Sequence, residues 1–233
     1  ITIQDICKKR HSTLYLVGRD IEVLHLTSIP LYGFGCDIRT WRREYQGLRL
    51  PLLGEHQAQN CATALGAMEV LAQSGELEWD EGLARRALAS LRCPGRIEVV
   101  ANNPLIVLDS AHNVSSIRAL VRTLRRDLDF QRLILILGVS RDKDILGILR
   151  EVAGVPDELI FTRAPSPRAA EPDFLAQEFR TNFGREGKVV EEAEEALRLA
   201  RSLAQPGDCI CVTGSFYLAG RVKEIMEEGV KTF

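Results

Sequence analysis

The sequence has no long apolar segment and no excess of charge of either sign. It contains no run of about 18 apolar residues, the length that a membrane-spanning helix needs. Its 30 Lys and Arg are balanced by 32 Asp and Glu, for a formal net charge of -2, whereas nucleic-acid binders need positive charge to neutralise phosphates. A hydrophobic share of 45% is enough for a core and excludes disorder. These absences predict an ordinary globular protein with neither a membrane nor a nucleic acid as partner.

The sequence also lacks a disulfide framework, because its 6 cysteines are spread over the 233 residues with no short repeated spacing. Only Cys209 and Cys211 lie close together, on one face of an apolar run, and no histidine or second cysteine pair lies nearby at zinc-ligand spacing. No basic stretch leads into an apolar segment of the signal-peptide kind. We therefore predict reduced, buried packing cysteines and a cytoplasmic protein.

Complete catalytic motifs are missing as well. The sequence has no G-x-x-x-x-G-K-[ST] phosphate loop, no G-x-S-x-G and no H-E-x-x-H, and the glycines and lysine at 184–188 have the wrong spacing for a phosphate loop. The first residue is Ile1 rather than Met. We therefore expect a processed product, an expression fragment or a chain with further residues upstream, and one that holds no complete active site.

The spacing of apolar residues in the first part of the chain predicts strands up to about residue 50 and helices from residue 55 onward. Short strands are predicted at residues 14–17, 21–26, 34–38 and 45–50, as an antiparallel meander. From Glu55 onward apolar residues recur at three and four, which predicts a long helix, and a second helix is predicted at residues 80–91 with Asp80 as its N-cap. Cys93-Pro94-Gly95 breaks any helix, and we place a domain boundary there, between residues 1–92 and 93–233.

After this boundary, strands and helices alternate. Apolar strands are predicted at residues 98–100, 105–108, 133–137, 159–162, 188–190 and 209–213, with amphipathic helices between most of them. Continuous apolar strands separated by helices are typical of a mostly parallel sheet covered on both faces. The fold class is therefore α/β, a Rossmann-like domain whose ligands bind beyond the carboxyl ends of the strands.

That rule directs attention to the loop after the strand at residues 105–108. Asp109, Ser110, His112 and Asn113 lie there, ahead of a helix that we expect to begin near residue 115 or 116. A helix N-terminus attracts phosphate, and Asp109 can accept hydrogen bonds from ribose hydroxyls. The alternative interpretation is that Asp109 and Asn113 only cap the helix and that His112 is a surface residue.

Three further places carry polar groups in suitable positions. Arg96 follows the boundary turn and suits a phosphate, although a solvated linker arginine is the simpler local interpretation. Asn60 shares a helix face with His56. Ser215 follows Gly214 after the last strand, where either an anion site or a plain turn fits.

These segments form a specific series when they are taken in order. It consists of L-G-E-H-Q-A-Q-N-C-A-T-A-L at 53–65, P-G-R-I-E-V at 94–99, I-V-L-D-S-A-H-N at 106–113, D-K-D at 142–144 and T-G-S-F-Y-L at 213–218. The series resembles the C-terminal portion of folylpolyglutamate synthase/dihydrofolate synthase, in the Mur ligase superfamily. The resemblance covers nearly the whole chain and is weakest in residues 1–50.

The resemblance implies an ATP-dependent ligase. Such an enzyme phosphorylates a pteroate or folate carboxylate, and the amine of L-glutamate then attacks the acyl phosphate. Residues 1–92 are then the end of the central ATPase domain, β-rich and helical, and 93–233 are the C-terminal Rossmann-like domain. In this family the phosphate loop, the Mg²⁺ ligands and a carbamylated lysine lie upstream, so we expect this chain alone to be inactive.

The resemblance also implies roles for individual residues. Asn60, Arg96 and Asp109 match ATP-binding positions, and His112 matches the histidine near phosphate and glutamate, where it could donate to a developing oxyanion. Ser215 and Tyr217 match a substrate-facing loop. Two alternatives stay open: a non-catalytic nucleotide-binding module, and a Mur-type ligase acting on another substrate. The sequence leaves the oligomeric state unknown.

Overall fold

The computed structural model describes residues 2–230, which divide into two compact units at the boundary between Arg92 and Cys93. The elements of the first unit are α1 (Ile3–Arg10), β1 (Glu22–Ile29), β2 (Gly33–Arg39), β3 (Glu44–Leu50), α2 (His56–Gln73) and α3 (Glu81–Ala89). The three strands form an antiparallel sheet in the order β1-β2-β3, so the expected meander is confirmed. Asp80 is the N-cap of α3, as predicted, since its side chain accepts from the Leu83 amide.

Two predictions for the first unit are wrong. Helix α1 lies where only strands were expected, and it buries no residue. It is defined by its ends: Thr2 and Asp5 form a capping box, and His11 closes the helix in the left-handed region. Its apolar positions are few, and three of its last residues are basic, Lys8, Lys9 and Arg10.

The expected strand at residues 14–17 does not form either. Only an isolated bridge joins Val17 to Ile21. Gly18 has a φ of 94°, which turns the chain back, and the Asp20 carboxylate accepts from the Leu16 amide at 2.8 Å. The segment is therefore a tight turn.

The core of the first unit holds a buried carboxylate. Glu69 on α2 is 1% exposed. Its two oxygens accept from the Tyr45 hydroxyl at 2.6 Å and the Thr40 hydroxyl at 2.8 Å. Arg43 lies 3.6 Å from the carboxylate and over the ring of Trp79 at 5.3 Å. Because a buried charge is costly unless it is paired, this network fixes α2 against the sheet.

The second unit contains a six-stranded sheet. Its elements are β4 (Glu98–Asn102), β5 (Leu105–Leu108), α4 (Val114–Asp127), β6 (Leu133–Leu137), α5 (Ile145–Val152), β7 (Glu158–Phe161), α6 (Pro172–Phe183), β8 (Lys188–Val189), α7 (Ala193–Leu203), β9 (Cys209–Thr213) and α8 (Phe216–Val230). The strand order is β4-β5-β9-β6-β7-β8, and every pair except β4-β5 is parallel. The Rossmann-like α/β class is confirmed.

Alternate residues of the strands face two helix layers. Ile210 and Val212 of β9 lie in the cluster formed with α7 and α8. On the opposite face Phe161 of β7 meets Phe179 of α6 edge to face at 5.7 Å. The parallel strands β5, β9, β6 and β7 end at the same edge, and the loops that follow them are therefore neighbours.

The cysteine prediction is only partly right. All six are free, but Cys93 is exposed and Cys7 is half-buried, whereas Cys36, Cys61, Cys209 and Cys211 are buried. Cys93 lies in the boundary turn and Cys7 on the surface helix α1, so neither position belongs to a core.

We expect thiol-specific reagents to separate these classes at mildly alkaline pH. Burial raises the pKa of the Cys36 thiol to about 11 and the pKa values of Cys61 and Cys209 to about 12, so these groups stay protonated and unreactive. In a titration with Ellman's reagent, Cys93 should react fast and Cys7 more slowly, and the four buried thiols should react only in denaturant. A Cys93→Ser variant should lose the fast phase; fast reaction of a third thiol in the native protein would contradict this assignment.

Candidate functional site

Asp109 lies directly after β5 at the carboxyl edge of the sheet and is 5% exposed. Its Oδ1 accepts from the Ala111 amide at 2.8 Å, and its Oδ2 accepts from the Ile97 amide at 3.0 Å. Each carboxylate oxygen has a second lone pair. Asp109 therefore holds the backbone around it at the end of β5. It does not cap the following helix.

The turn at residues 94–97 is tied to the end of β5 by two hydrogen bonds. One is the bond from Ile97 to Asp109, and the other runs from the Ser110 amide to the Gly95 carbonyl at 2.8 Å. Ile97 has a φ of 49°, a conformation that β-branched residues rarely adopt. Residues held in such conformations by their surroundings cluster at functional sites. The turn is thus held in a conformation that it would not adopt alone.

Arg96 is presented by this turn. Its side chain is exposed, and within residues 2–230 no hydrogen bond or ion pair to its guanidinium is found. Arg163, which follows β7, by contrast pairs with Glu171 and Glu191. Arg96 therefore offers all its donors to a ligand, beside the fixed carboxylate of Asp109.

His112 and Ser110 complete the loop after β5. The Nδ1 atom of His112 lies 2.9 Å from the Ser110 carbonyl oxygen, and its backbone amide donates to Ser116 Oγ at 3.1 Å. Helix α4 begins at Val114, earlier than expected, because Asn113 is its N-cap and accepts from the Ser116 amide at 2.9 Å. The capping interpretation is therefore right for Asn113.

The loop after β9 adjoins the loop after β5. The Gly214 amide donates to the Ala111 carbonyl at 2.9 Å. Gly214 has a φ of 101°, and a Cβ there would lie 2.6 Å from the Gly138 carbonyl oxygen, so only glycine fits. Ser215 is buried, and its Oγ accepts from the Tyr217 amide at 3.2 Å, while the Tyr217 ring is half-exposed. The structure thus brings Arg96, Asp109, His112 and Ser215 to one edge of the second unit.

Asn60 belongs to the first unit, on the first turn of α2. It is exposed, and its amide nitrogen donates to the buried Gln57 Oε1 at 2.9 Å. This bond orients the amide and leaves its oxygen available as an acceptor.

Three features of the site were not found from the sequence. They are the orphaned hydroxyl of Ser110, the strained Ile97, and a cavity of about 480 Å³ whose charged lining residues are Arg163, Arg198, Arg221, Glu191, Glu192, Glu194 and Glu195. The position of Ser110 directly after a predicted strand was a signal for its buried hydroxyl. Nothing in the local sequence signals the other two, because they depend on contacts between distant segments.

The D-K-D segment has a structural role. Asp144 is the N-cap of α5, and Lys143 lies 3.4 Å from Asp142. Across residues 2–230 no group of three or more His, Cys, Asp or Glu side chains is placed to hold a metal ion. The same residues contain no helix that is long and apolar enough to cross a membrane.

The chain is similar to known ligases. Residues 95–216 match the family model described as Mur ligase, glutamate ligase domain. A dihydrofolate synthase/folylpolyglutamate synthase of Mycobacterium tuberculosis is 34% identical over 196 residues, which cover 78% of this chain and 40% of that protein.

Solved structures agree over both units. Mycobacterium tuberculosis folylpolyglutamate synthase complexed with ADP superposes with a TM-score of 0.87 at 29% identity, covering 96% of this chain and 51% of that one. A bifunctional folylpolyglutamate synthase/dihydrofolate synthase with Mn, AMPPNP and L-glutamate bound gives a TM-score of 0.78 at 27% identity, with 97% and 50% covered. The chain thus spans about half the length of these relatives.

Proposed function

Because the chain belongs to the Mur ligase family and residues 95–216 are its glutamate ligase domain, we propose that it is the C-terminal part of an ATP-dependent folylpolyglutamate synthase/dihydrofolate synthase. The reaction is the transfer of the ATP γ-phosphoryl group to a pteroate or folate carboxylate, followed by attack of the L-glutamate amine on the acyl phosphate. ADP and phosphate are released. Residues 1–92 are the end of the ATPase domain, and 93–233 are the C-terminal domain.

The observation that carries this proposal is the fixed pair of Asp109 and the turn at residues 94–97. The carboxylate accepts from two backbone amides and can accept from ribose hydroxyls. Arg96, free of other partners in residues 2–230, is held next to it and suits the phosphates. In the first unit, the oriented amide of Asn60 suits an adenine edge.

The remaining roles follow from position. Ser215 and Tyr217 face the substrates from the loop after β9, and His112 acts on the reacting groups. Mg²⁺ supplies charge neutralisation on the phosphates. Residues 2–230 offer no ligand set for it, and we place its ligands, the phosphate loop and the carbamylated lysine in a preceding segment. We expect the enzyme in the cytoplasm.

Arg96→Ala is expected to weaken ADP and AMPPNP binding about 10- to 100-fold in the natural full-length protein, because charge-assisted hydrogen bonds contribute about 1.5–3 kcal/mol each. Arg96→Lys should give an intermediate loss, since a lysine keeps the charge but not the planar fork. Isothermal titration calorimetry measures both.

Arg92→Ala is the matched control, an exposed arginine just before the boundary whose loss should leave affinity unchanged. Unchanged ADP affinity in Arg96→Ala contradicts the assigned role. Nucleotide binding by the full-length protein without ADP formation in the presence of a folate and L-glutamate would favour the non-catalytic module.

A further inference from the structure

The hydrogen bond of the His112 ring determines which ring nitrogen carries the proton. Nδ1 lies 2.9 Å from the Ser110 carbonyl oxygen. A carbonyl oxygen only accepts hydrogen bonds, so Nδ1 must be the donor and bears the hydrogen. In the neutral ring Nε2 then has a lone pair and no proton.

The carbonyl that sets this tautomer is itself fixed. Ser110 is 2% exposed, and its amide donates to the Gly95 carbonyl at 2.8 Å. Its hydroxyl is buried without a hydrogen-bond partner, so it does not compete for the ring. The His112 backbone is held separately by the bond from its amide to Ser116 Oγ. Among residues 2–230 no carboxylate contacts the His112 ring.

We infer, resting on the proposed function, that His112 Nε2 is the base that takes a proton from the ammonium group of L-glutamate. The amine can attack only after it has lost a proton, because an ammonium has no lone pair. A neutral imidazole with Nδ1 protonated can accept at Nε2 and cannot donate there.

One ammonium proton moves to Nε2, which makes His112 an imidazolium. The amine lone pair forms the C–N bond to the acyl carbon, and the C–O bond to phosphate breaks with its electron pair going to the phosphate. The second excess proton on nitrogen goes to the departing phosphate, and His112 then releases its proton to solvent.

The tautomer is tested first, on this chain and without any activity. The sequence has 4 histidines, and the ring signals of His112 are assigned by their absence in His112→Asn. Long-range ¹H–¹⁵N correlation spectra of the neutral rings should show Nδ1 protonated and Nε2 bearing a lone pair. A protonated Nε2 in neutral His112 overturns the inference, whatever the function of the protein.

The role is tested on half-reactions of the natural full-length protein. His112→Asn keeps an amide donor for the Ser110 carbonyl and removes Nε2, whereas His112→Gln places a non-basic group near Nε2. Both should keep acyl-phosphate formation within a few-fold, measured by positional isotope exchange in ¹⁸O-labelled ATP with a folate and no glutamate. Both should lose glutamate ligation by at least about 100-fold, the usual contribution of a general base.

Hydroxylamine provides the matched control, because it is largely unprotonated near neutral pH and needs no base. Hydroxamate formation should therefore survive in both variants. The inference is overturned if a variant that loses glutamate ligation also loses isotope exchange or hydroxamate formation. It is also overturned if His112→Gln retains glutamate ligation, because His112 would then be a positioning residue. If the wild-type protein shows no isotope exchange, the proposed function is contradicted rather than the role of His112. The NMR result does not depend on the proposed function.

Discussion

Glu69→Ala is expected to lower the free energy of unfolding of residues 1–92 by about 3 kcal/mol, from two lost charged hydrogen bonds and the cavity left behind. The hydroxyls of Tyr45 and Thr40 lose their acceptor while they remain buried. Arg43 loses its ion partner as well. Glu69→Gln keeps the shape and one acceptor oxygen, and about 1–2 kcal/mol is expected because one hydroxyl stays unsatisfied.

Tryptophan fluorescence reports this effect selectively. The chain has 2 tryptophans, Trp41 and Trp79, and both lie in the first unit, with Trp79 edge-on to Tyr45 at 5.8 Å. Urea titrations followed at this signal should show the first unit unfolding earlier in Glu69→Ala. Gln73→Ala, at the exposed end of the same helix, is the control. Equal midpoints in the two variants would show that the network does not stabilise the unit.

Asp109→Ala is expected to destabilise the second unit by about 2–4 kcal/mol, because the backbone amides of Ile97 and Ala111 lose their acceptors in a buried place. Nucleotide affinity should fall at least about 100-fold, since the loss of a ligand acceptor adds to the release of the turn that presents Arg96. Asp109→Asn keeps one acceptor oxygen and should therefore retain part of the stability and part of the nucleotide affinity.

Amide hydrogen exchange identifies the cause of this loss. In Asp109→Ala, protection at Ile97 and Ala111 should fall more than at the centre of β5, while Asp129→Asn, an exposed aspartate beyond α4, should change neither protection nor ADP affinity. Retained protection at both amides, together with wild-type affinity, would remove Asp109 from the site. Retained protection with lost affinity would restrict its role to direct contact with the nucleotide.

The parts of the fold that followed from the sequence share one property. The strands at residues 105–108, 133–137 and 209–213 have the predicted bounds because they are buried on both faces and are therefore continuously apolar. Asp80 was identified as a cap because capping is local. Helix α1 and the turn at residues 14–20 were missed, since neither buries a periodic face.

The candidate site divides in the same way. The alternation of strands and helices in the sequence predicted that Asp109 and His112 follow a strand of a parallel sheet. It therefore also predicted their place at the carboxyl edge of that sheet. The pairing of Asp109 with the Ile97 amide, and of Gly214 with the Ala111 carbonyl, was not. Such bonds join segments that only the packed sheet brings together.

By itself, the sequence determined the α/β class, the strands of the sheet and the loops that carry the polar residues, because burial and capping leave a pattern in nearby residues. The tertiary structure decided the strained turn that presents Arg96, the two amides held by Asp109 and the protonated nitrogen of His112. Each of these depends on a hydrogen bond to a backbone group. Backbone groups are the same in every residue, so their partners are set by where the folded chain places them and leave no trace in the sequence.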